Sequence, residues 1–291
     1  FKARERRVRP SLDDKILADW NGLAIAALAM AGRIFDNKEH TAMAERAAEF
    51  ILTKMTGGEG RLLHTYKDGS AGVQGFLEDY AYLVWGLIEL YEAAFEPRWL
   101  RKAVELTDQM IELFWDDGAG GFYHTAHDSE RLIVRKKEVY DGATPSGNSV
   151  AAHNLLRISR LTGDTGLMER AAALASAFAS TVRQHPAGYA HLLSAAEAAE
   201  KGGREVVVTG DPDGADTEEM LSALHGLYEP DMVVLFKPDD GRGAEIASIA
   251  PYTADHSTIE GRATAYVCTG QSCRAPTTDP GEMLRQISAR P

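Results

Sequence analysis

Three short stretches hold most of the side chains in this 291-residue sequence whose types suit chemistry. The first is Asp13-Asp14-Lys15-Ile16-Leu17-Ala18-Asp19-Trp20-Asn21 and the second is Gln74-Gly75-Phe76-Leu77-Glu78-Asp79-Tyr80. The third is Asp141-Gly142-Ala143-Thr144-Pro145-Ser146-Gly147-Asn148-Ser149. Carboxylates, aromatic rings and amides in such company are what sugar recognition uses: rings cover the apolar sugar faces, and carboxylates and amides bind the hydroxyls. Asp79 and Asp141 fit a glycosidase's carboxylate pair, one acid and one base or nucleophile. They fit equally well as a residue favouring a helix N-terminus and as a turn cap. Glu78 points elsewhere on a helix than its neighbour Asp79, so only one of them faces a common centre.

Trp20 and Tyr80 offer rings for stacking on a sugar or for packing a core. Asn21, Ser146 and Asn148 offer hydrogen bonds to hydroxyls, although capping alone explains the serine. Arg135, Lys136 and Lys137 precede Asp141 and either orient it or form a solvated charge run that begins at Arg131. Asp14 and Lys15 are expected to pair and fix the start of the first long helix. The nine histidines have no metal-ligand spacing. His64, His124 and His127 fall in loops, where an epimerase would hold a histidine acid/base pair, and spacing selects none of them. Cys268 and Cys273 resemble a metal or redox pair, but zinc needs four ligands, so a structural role is the expectation. No metal and no cofactor is expected.

Those stretches must be positioned by helices. From Leu17 to about Ala199 the text alternates between mostly apolar and amphipathic segments. Leu17–Phe35, Phe76–Phe95 and Ser146–Leu161 are mostly apolar. His40–Met55, Arg98–Phe114 and Thr165–Val182 carry one apolar stripe each, and Tyr189–Glu200 is a further candidate. A helix apolar all round is buried, whereas one with a stripe forms an outer layer. Inner helices ringed by outer ones describe an α/α toroid, with an open stack of hairpins as the plainer alternative. In a toroid the inner helices run the same way, so the three stretches converge at their N-terminal ends, where free N–H groups face oxygen-bearing ligands. After Gly202 the text changes to β-branched runs at Glu205–Gly210 and Met232–Phe236 flanking a helix at Asp216–Tyr228, a βαβ pattern with parallel strands. Thr264–Cys268 reads as another strand and Pro280–Ala289 as a closing helix. Residues 1–202 are thus expected to be helical hairpins and 203–291 a small α/β segment.

The net charge of −12 argues against general nucleic-acid or anionic-membrane binding. Ala18–Ala31 comes nearest to a membrane span but contains Asp19 and Asn21. Two cysteines cannot build a disulfide framework, which favours a reducing, cytoplasmic setting. The opening Phe1-Lys2-Ala3-Arg4-Glu5-Arg6-Arg7 is no signal peptide and suggests a piece of a longer protein.

Four motifs together resemble the spermatogenesis-associated protein 20 family. They are Asp13-Asp14-Lys15-Ile16-Leu17…Trp20-Asn21-Gly22, Phe76-Leu77-Glu78-Asp79-Tyr80-Ala81, Asp141 to Ser149, and Ala265-Tyr266-Val267-Cys268…Cys273-Arg274-Ala275-Pro276. The resemblance implies an N-terminal thioredoxin-like domain followed by a toroid of the six-hairpin glycosidase type, related to N-acylglucosamine 2-epimerases. This sequence lacks the thioredoxin-like domain and has about half of the hairpins, so it resembles a C-terminal fragment whose partners are the rest of that chain. The reading that follows is a carbohydrate-active protein, hydrolase or epimerase, binding a small sugar at the inner-helix N-termini. Two alternatives stand beside it: a non-catalytic sugar-binding or scaffold module serving the thioredoxin-like domain, and a redox-linked partner acting through Cys268 and Cys273. As a fragment it should expose Trp20, Leu23 and Ile25, and Asp79→Asn and Asp141→Asn should abolish turnover with stability nearly unchanged.

Overall fold

The computed structural model describes residues 1–130, 133–270 and 272–289, and Arg131 of the charged run lies outside them. After a short turn of helix, α1 (Lys2–Glu5), and the two-residue strand β1 (Ile16–Leu17), the chain makes three helical hairpins. These are α2 (Ala18–Ile34) with α3 (Lys38–Lys54), α4 (Leu77–Ala94) with α5 (Pro97–Phe114), and α6 (Gly147–Thr162) with α7 (Thr165–Gln184). Strands β2 (Leu63–Lys67) and β3 (Ser70–Gln74) lie between the first two hairpins, and α8 (Ala190–Lys201) follows the third. The seven helices from α2 to α8 agree with the periodicity to within a residue or two at most ends.

α4 is buried almost all round, from Leu77 to Glu92, and stands between α2 and α6. α5 buries a single stripe, Trp99, Leu100, Ala103, Leu106 and Met110, because its other face is charged. α2 and α4 approach closely at two glycines. A Cβ on Gly22 would lie 2.5 Å from the Tyr82 carbonyl carbon, and one on Gly86 2.8 Å from the Gly22 oxygen. Inner helices therefore form a parallel arc with outer helices behind it, the layout of part of an α/α toroid.

One side of the arc is open. Trp20 is 65% exposed, and Ala24, Ala27 and Ile34 continue its stripe into solvent. The expected exposure of Trp20 is thus met, Leu23 is partly buried, and Ile25 is wholly buried. Ile25 corrects the expectation because it faces α4, where Gly86 leaves room for it.

The α/β segment carries a sheet in the order β5-β4-β6-β7. β4 (Arg204–Gly210) and β5 (Met232–Pro238) are parallel across α9 (Ala215–His225), and β6 (Thr264–Thr269) is antiparallel on the other side of β4. α10 (Arg242–Ile249), β7 (Ser272–Cys273) and α11 (Pro280–Ser288) complete it. Strand alternation divides its side chains: Val207, Val233 and Leu235 join the helical core, while Val206, Val208 and Phe236 pack with α9 and α11. The segment is tied to the inner arc by backbone donors. Val234 N–H reaches Glu92 Oε1 at 3.4 Å and Phe236 N–H reaches the Tyr91 hydroxyl at 3.2 Å.

Cys268 and Cys273 are joined by a disulfide across the β6–β7 pairing. The bridge joins buried Cys268 to exposed Cys273, fits a structural tie and a redox pair alike, and removes the cysteine-based ground for a reducing compartment. Among the described residues no helix is long and apolar enough to cross a membrane.

Candidate functional site

The site begins with a hairpin. β2 and β3 turn at Asp68-Gly69, whose φ values of 52° and 83° are both left-handed, as a tight two-residue turn demands. β1 adds to β2, so the segment before α2 and the segment before α4 share one small sheet. The pairing carries His64 to the first turn of α4. There Phe76 is the N-cap and Asp79 the third helical residue, whose carboxylate reaches back to the Phe76 N–H at 2.7 Å.

Asp79 is fully buried and both of its oxygens are occupied. Oδ1 accepts from the Asp19 backbone N–H at 3.0 Å, which fastens the start of α2 to that of α4. His64 Nδ1 sits 2.9 and 3.1 Å from the two oxygens. This contact, ahead of opposing desolvation, raises the His64 pKa above the ordinary histidine value. Asp19 is half-buried and burial raises its pKa, with repulsion from Asp79 adding to it.

A second pair lies beside the first. His124 Nδ1 is 2.9 Å from Glu78 Oε2, and that bond raises the His124 pKa as well. Phe76 stands between the two histidines, edge-on to His64 at 5.2 Å and stacked on His124 at 4.8 Å between ring centres. Among the described residues neither Nε2 has a partner. A ring held through Nδ1–H to a carboxylate leaves Nε2 with a lone pair when neutral and a proton to give when charged. The α6 N-terminus closes this end, with Gly147 against Leu77 and Glu78, and the Tyr82 hydroxyl donating to the Pro145 oxygen.

Asp19, His64 and Asp79 also place ligand-type atoms within 4.8 Å of one another. Asp79 already accepts two backbone N–H groups and meets the histidine, so both of its oxygens are engaged in holding elements together.

Asp141 does not join Asp79. Its Oδ1 accepts from Ser146 N–H at 2.9 Å, and its Oδ2 from His191 N–H at 2.8 Å and Leu192 N–H at 3.4 Å, so it fastens α8 to the start of α6. Both aspartates stand at the N-terminal end of the arc, but they share no partner, and each is engaged as a cap.

Several other expectations are corrected by the geometry. Tyr80 is buried with its hydroxyl accepting from Leu62 N–H at 3.1 Å, and its ring meets Phe114 edge-on, so it packs the core. Asn148 is a buried clamp, bonded to both backbone groups of Phe122 and to the Glu138 oxygen. Ser146 is the N-cap of α6, accepting from Ser149 N–H. Arg135 donates to the Thr125 oxygen and lies over the Tyr123 ring, while Lys137 pairs with Asp116 at 2.6 Å. Both serve the 114–138 loop instead of orienting Asp141. Trp20 and Asn21 line a shallow groove with Phe50 and Ala47, and the Asn21 amide donates to the Leu17 oxygen. Asp14 pairs with Lys67 at 2.7 Å and Lys15 with Asp13 at 3.0 Å, because strand pairing brings Lys67 to Asp14. His127 is exposed. His64 lies against Asp79, and Glu78 meets His124 beside it. His124 and Asp19 are the members that no spacing selected.

An inner arc of parallel helices with paired carboxylates and histidines at its N-terminal end makes this chain part of an α/α-toroid protein. No protein-family model matches it. Spermatogenesis-associated protein 20 of Rattus norvegicus is 36% identical over 297 residues, covering 99% of this chain and 38% of the relative, and that of Homo sapiens matches to the same extent. The chain belongs to that family and spans well under half the length of these curated relatives. Solved structures of similar layout include a GH76 alpha-mannanase of Bacteroides thetaiotaomicron, 18% identical with a TM-score of 0.49 over 59% of this chain and 47% of that one. The cellobiose 2-epimerase of Bacillus thermoamylovorans B4167 is 14% identical with a TM-score of 0.47 over 56% and 44%.

Proposed function

We propose that the full-length protein is carbohydrate-active and moves a proton on a sugar carbon beside a carbonyl, an epimerase-type reaction. The observation that carries this reading is the pair His64 and His124, set either side of Phe76, each held through Nδ1 by a carboxylate and each with Nε2 unpartnered among the described residues. One Nε2 takes the proton from carbon and leaves an enolate; the other, protonated, returns a proton to the opposite face. The raised pKa of both rings keeps the protonated form accessible near neutral pH. Phe76 supplies a ring for an apolar sugar face, and Asp79 and Glu78 act as positioning residues. Hydrolysis by Asp79 with Asp141 is the weaker reading, because both carboxylates are already hydrogen-bonded as caps.

The test is solvent exchange. Full-length protein is incubated in deuterated water with reducing sugars such as mannose and glucose, and deuterium at the carbon next to the carbonyl is followed by NMR. Exchange that His64→Asn and His124→Asn each reduce by roughly a hundredfold or more is expected for acid/base residues. Failure of every sugar to exchange, or exchange indifferent to both variants, overturns the reading.

The remaining hairpins and a thioredoxin-like domain of the full-length chain are its proposed partners, with the hairpins covering the Trp20–Ile34 face of α2. A cytoplasmic setting belongs to the same proposal.

A further inference from the structure

Below the histidine pairs, the inner arc ends in a cavity of about 310 Å³ between α2, α4 and α6 on one side and α9 and β5 on the other. Cavities of roughly 300–1,000 Å³ are the usual size for small-molecule sites. Apart from Glu229, which is exposed, its charged lining is closed on itself. Arg33 contacts Glu89 and Glu92, and Arg157 contacts the same two, in a buried four-membered ring of ion pairs. An anionic ligand entering here would bring a charge that no unpaired arginine or lysine among the described lining residues is left to meet.

Two polar atoms at the cavity have no such closure. Asn154 is 1% exposed, and its Nδ2 donates to the Ala81 oxygen at 2.7 Å, which fixes the amide so that Oδ1 is the free atom. That oxygen, and Nε2 of His225 on α9, which lines the same cavity, are buried without a partner among the described residues. An acceptor left unmet in the interior costs about 1–3 kcal/mol, so a donor supplied from outside would be favourable. The rest of the wall includes Trp85, whose indole N–H is turned to Glu89 at 3.3 Å, together with apolar side chains such as Val150 and Leu224.

We infer that this cavity is a binding site for an uncharged, hydroxyl-bearing ring of monosaccharide size, held by a hydroxyl donated to Asn154 Oδ1 and a second hydroxyl on His225 Nε2. The site uses neither His64 nor His124 and stands whether or not the epimerase reading does.

The experiment is calorimetric titration of the full-length protein carrying His64→Ala and His124→Ala, which silences the upper site. Glucose, mannose and myo-inositol are the uncharged probes, and glucuronate is the charged counterpart of glucose. Saturable binding of at least one uncharged probe is expected, with glucuronate at least roughly tenfold weaker than glucose. Asn154→Leu should weaken binding by roughly tenfold, the value of one buried hydrogen bond. A change in tryptophan fluorescence on binding should disappear in Trp85→Phe, a substitution mild enough to keep the readout if Asn154→Leu does not fold. Absence of saturable binding by all three uncharged probes, meaning the cavity holds water only, overturns the inference. Equal affinity for glucuronate, or binding unchanged by both substitutions, overturns it as well.

Discussion

The two ends of the inner arc pair cations with carboxylates in different ways. At the N-terminal end, His64 and His124 each commit one ring nitrogen to a carboxylate while the other has no partner among the described residues, and both rings are partly in reach of solvent. At the far end, Arg33 and Arg157 pair crosswise with Glu89 and Glu92, and the α/β segment covers them, with Val234 N–H on the same Glu92. Guanidinium groups stay charged at every accessible pH, whereas imidazoles titrate in the physiological range. One end therefore holds a fixed pattern of charge, and the other holds rings that titrate. The difference lies in which groups have a spare hydrogen-bonding atom, since both ends are assembled by helices from the same layers.

The comparison breaks most readily at the far end. Arg157→Leu leaves Glu89 and Glu92 with one cation between them and should cost about 3–5 kcal/mol by chemical denaturation. A loss below about 1 kcal/mol would mean that the ring of ion pairs does not hold the α/β segment to the arc. Asp79→Asn at the other end keeps one acceptor oxygen of the double cap but loses the other with the charge, and should cost roughly 1–3 kcal/mol, where the residue types alone suggested unchanged stability. The same variant sharpens the contrast through pH. A histidine whose folded pKa is raised stabilises fully below its unfolded value of about 6.5, and that contribution is lost as pH rises through the folded value. Histidine NMR titration should show His64 above 6.5 in the parent protein and returning toward it in the asparagine variant; an unmoved midpoint would refute the pairing.

Acid should act on the two ends with opposite sign. Burial holds His153 and His225, both lining the far cavity, down at about 4. Between about 6.5 and 4 the unfolded chain binds the extra protons, so stability conferred by these neutral rings falls as pH drops through that window. His153→Gln should flatten this acid limb in thermal melts, and an equally steep limb would assign it elsewhere. The smallest effect is expected at Trp20. Trp20→Gln should change the stability of this chain by no more than about 0.5 kcal/mol, since the ring is mostly in water. In the full-length protein the same change should cost more if further hairpins cover α2.

Much of this was legible in the residues. The six hairpin helices, α8, both central strands and the closing helix follow from periodicity, and the change of text near Gly202 marks where β4 begins at Arg204. The β2–β3 hairpin was missed, and His64, expected in a loop, lies on β2: its strands are half-buried and weakly alternating, so the Asp68-Gly69 turn was the one signal that could have found it. At the candidate site, the three polar stretches were rightly placed at one end of the arc. The roles within them were not, because a first-turn aspartate looks the same whether it caps a helix or faces a ligand.

Local sequence determined the elements, their order and the end at which functional groups gather, because helix periodicity and capping act over a few residues. Only the tertiary structure decided that His64 meets Asp79 across 15 positions, that His124 meets Glu78 across 46, and that Asp141 turns to α8. Those choices are set by how a small sheet and two loops fold over the helix ends. A hydrogen bond between distant residues depends on angles and distances of a few ångströms, which no spacing along the chain encodes.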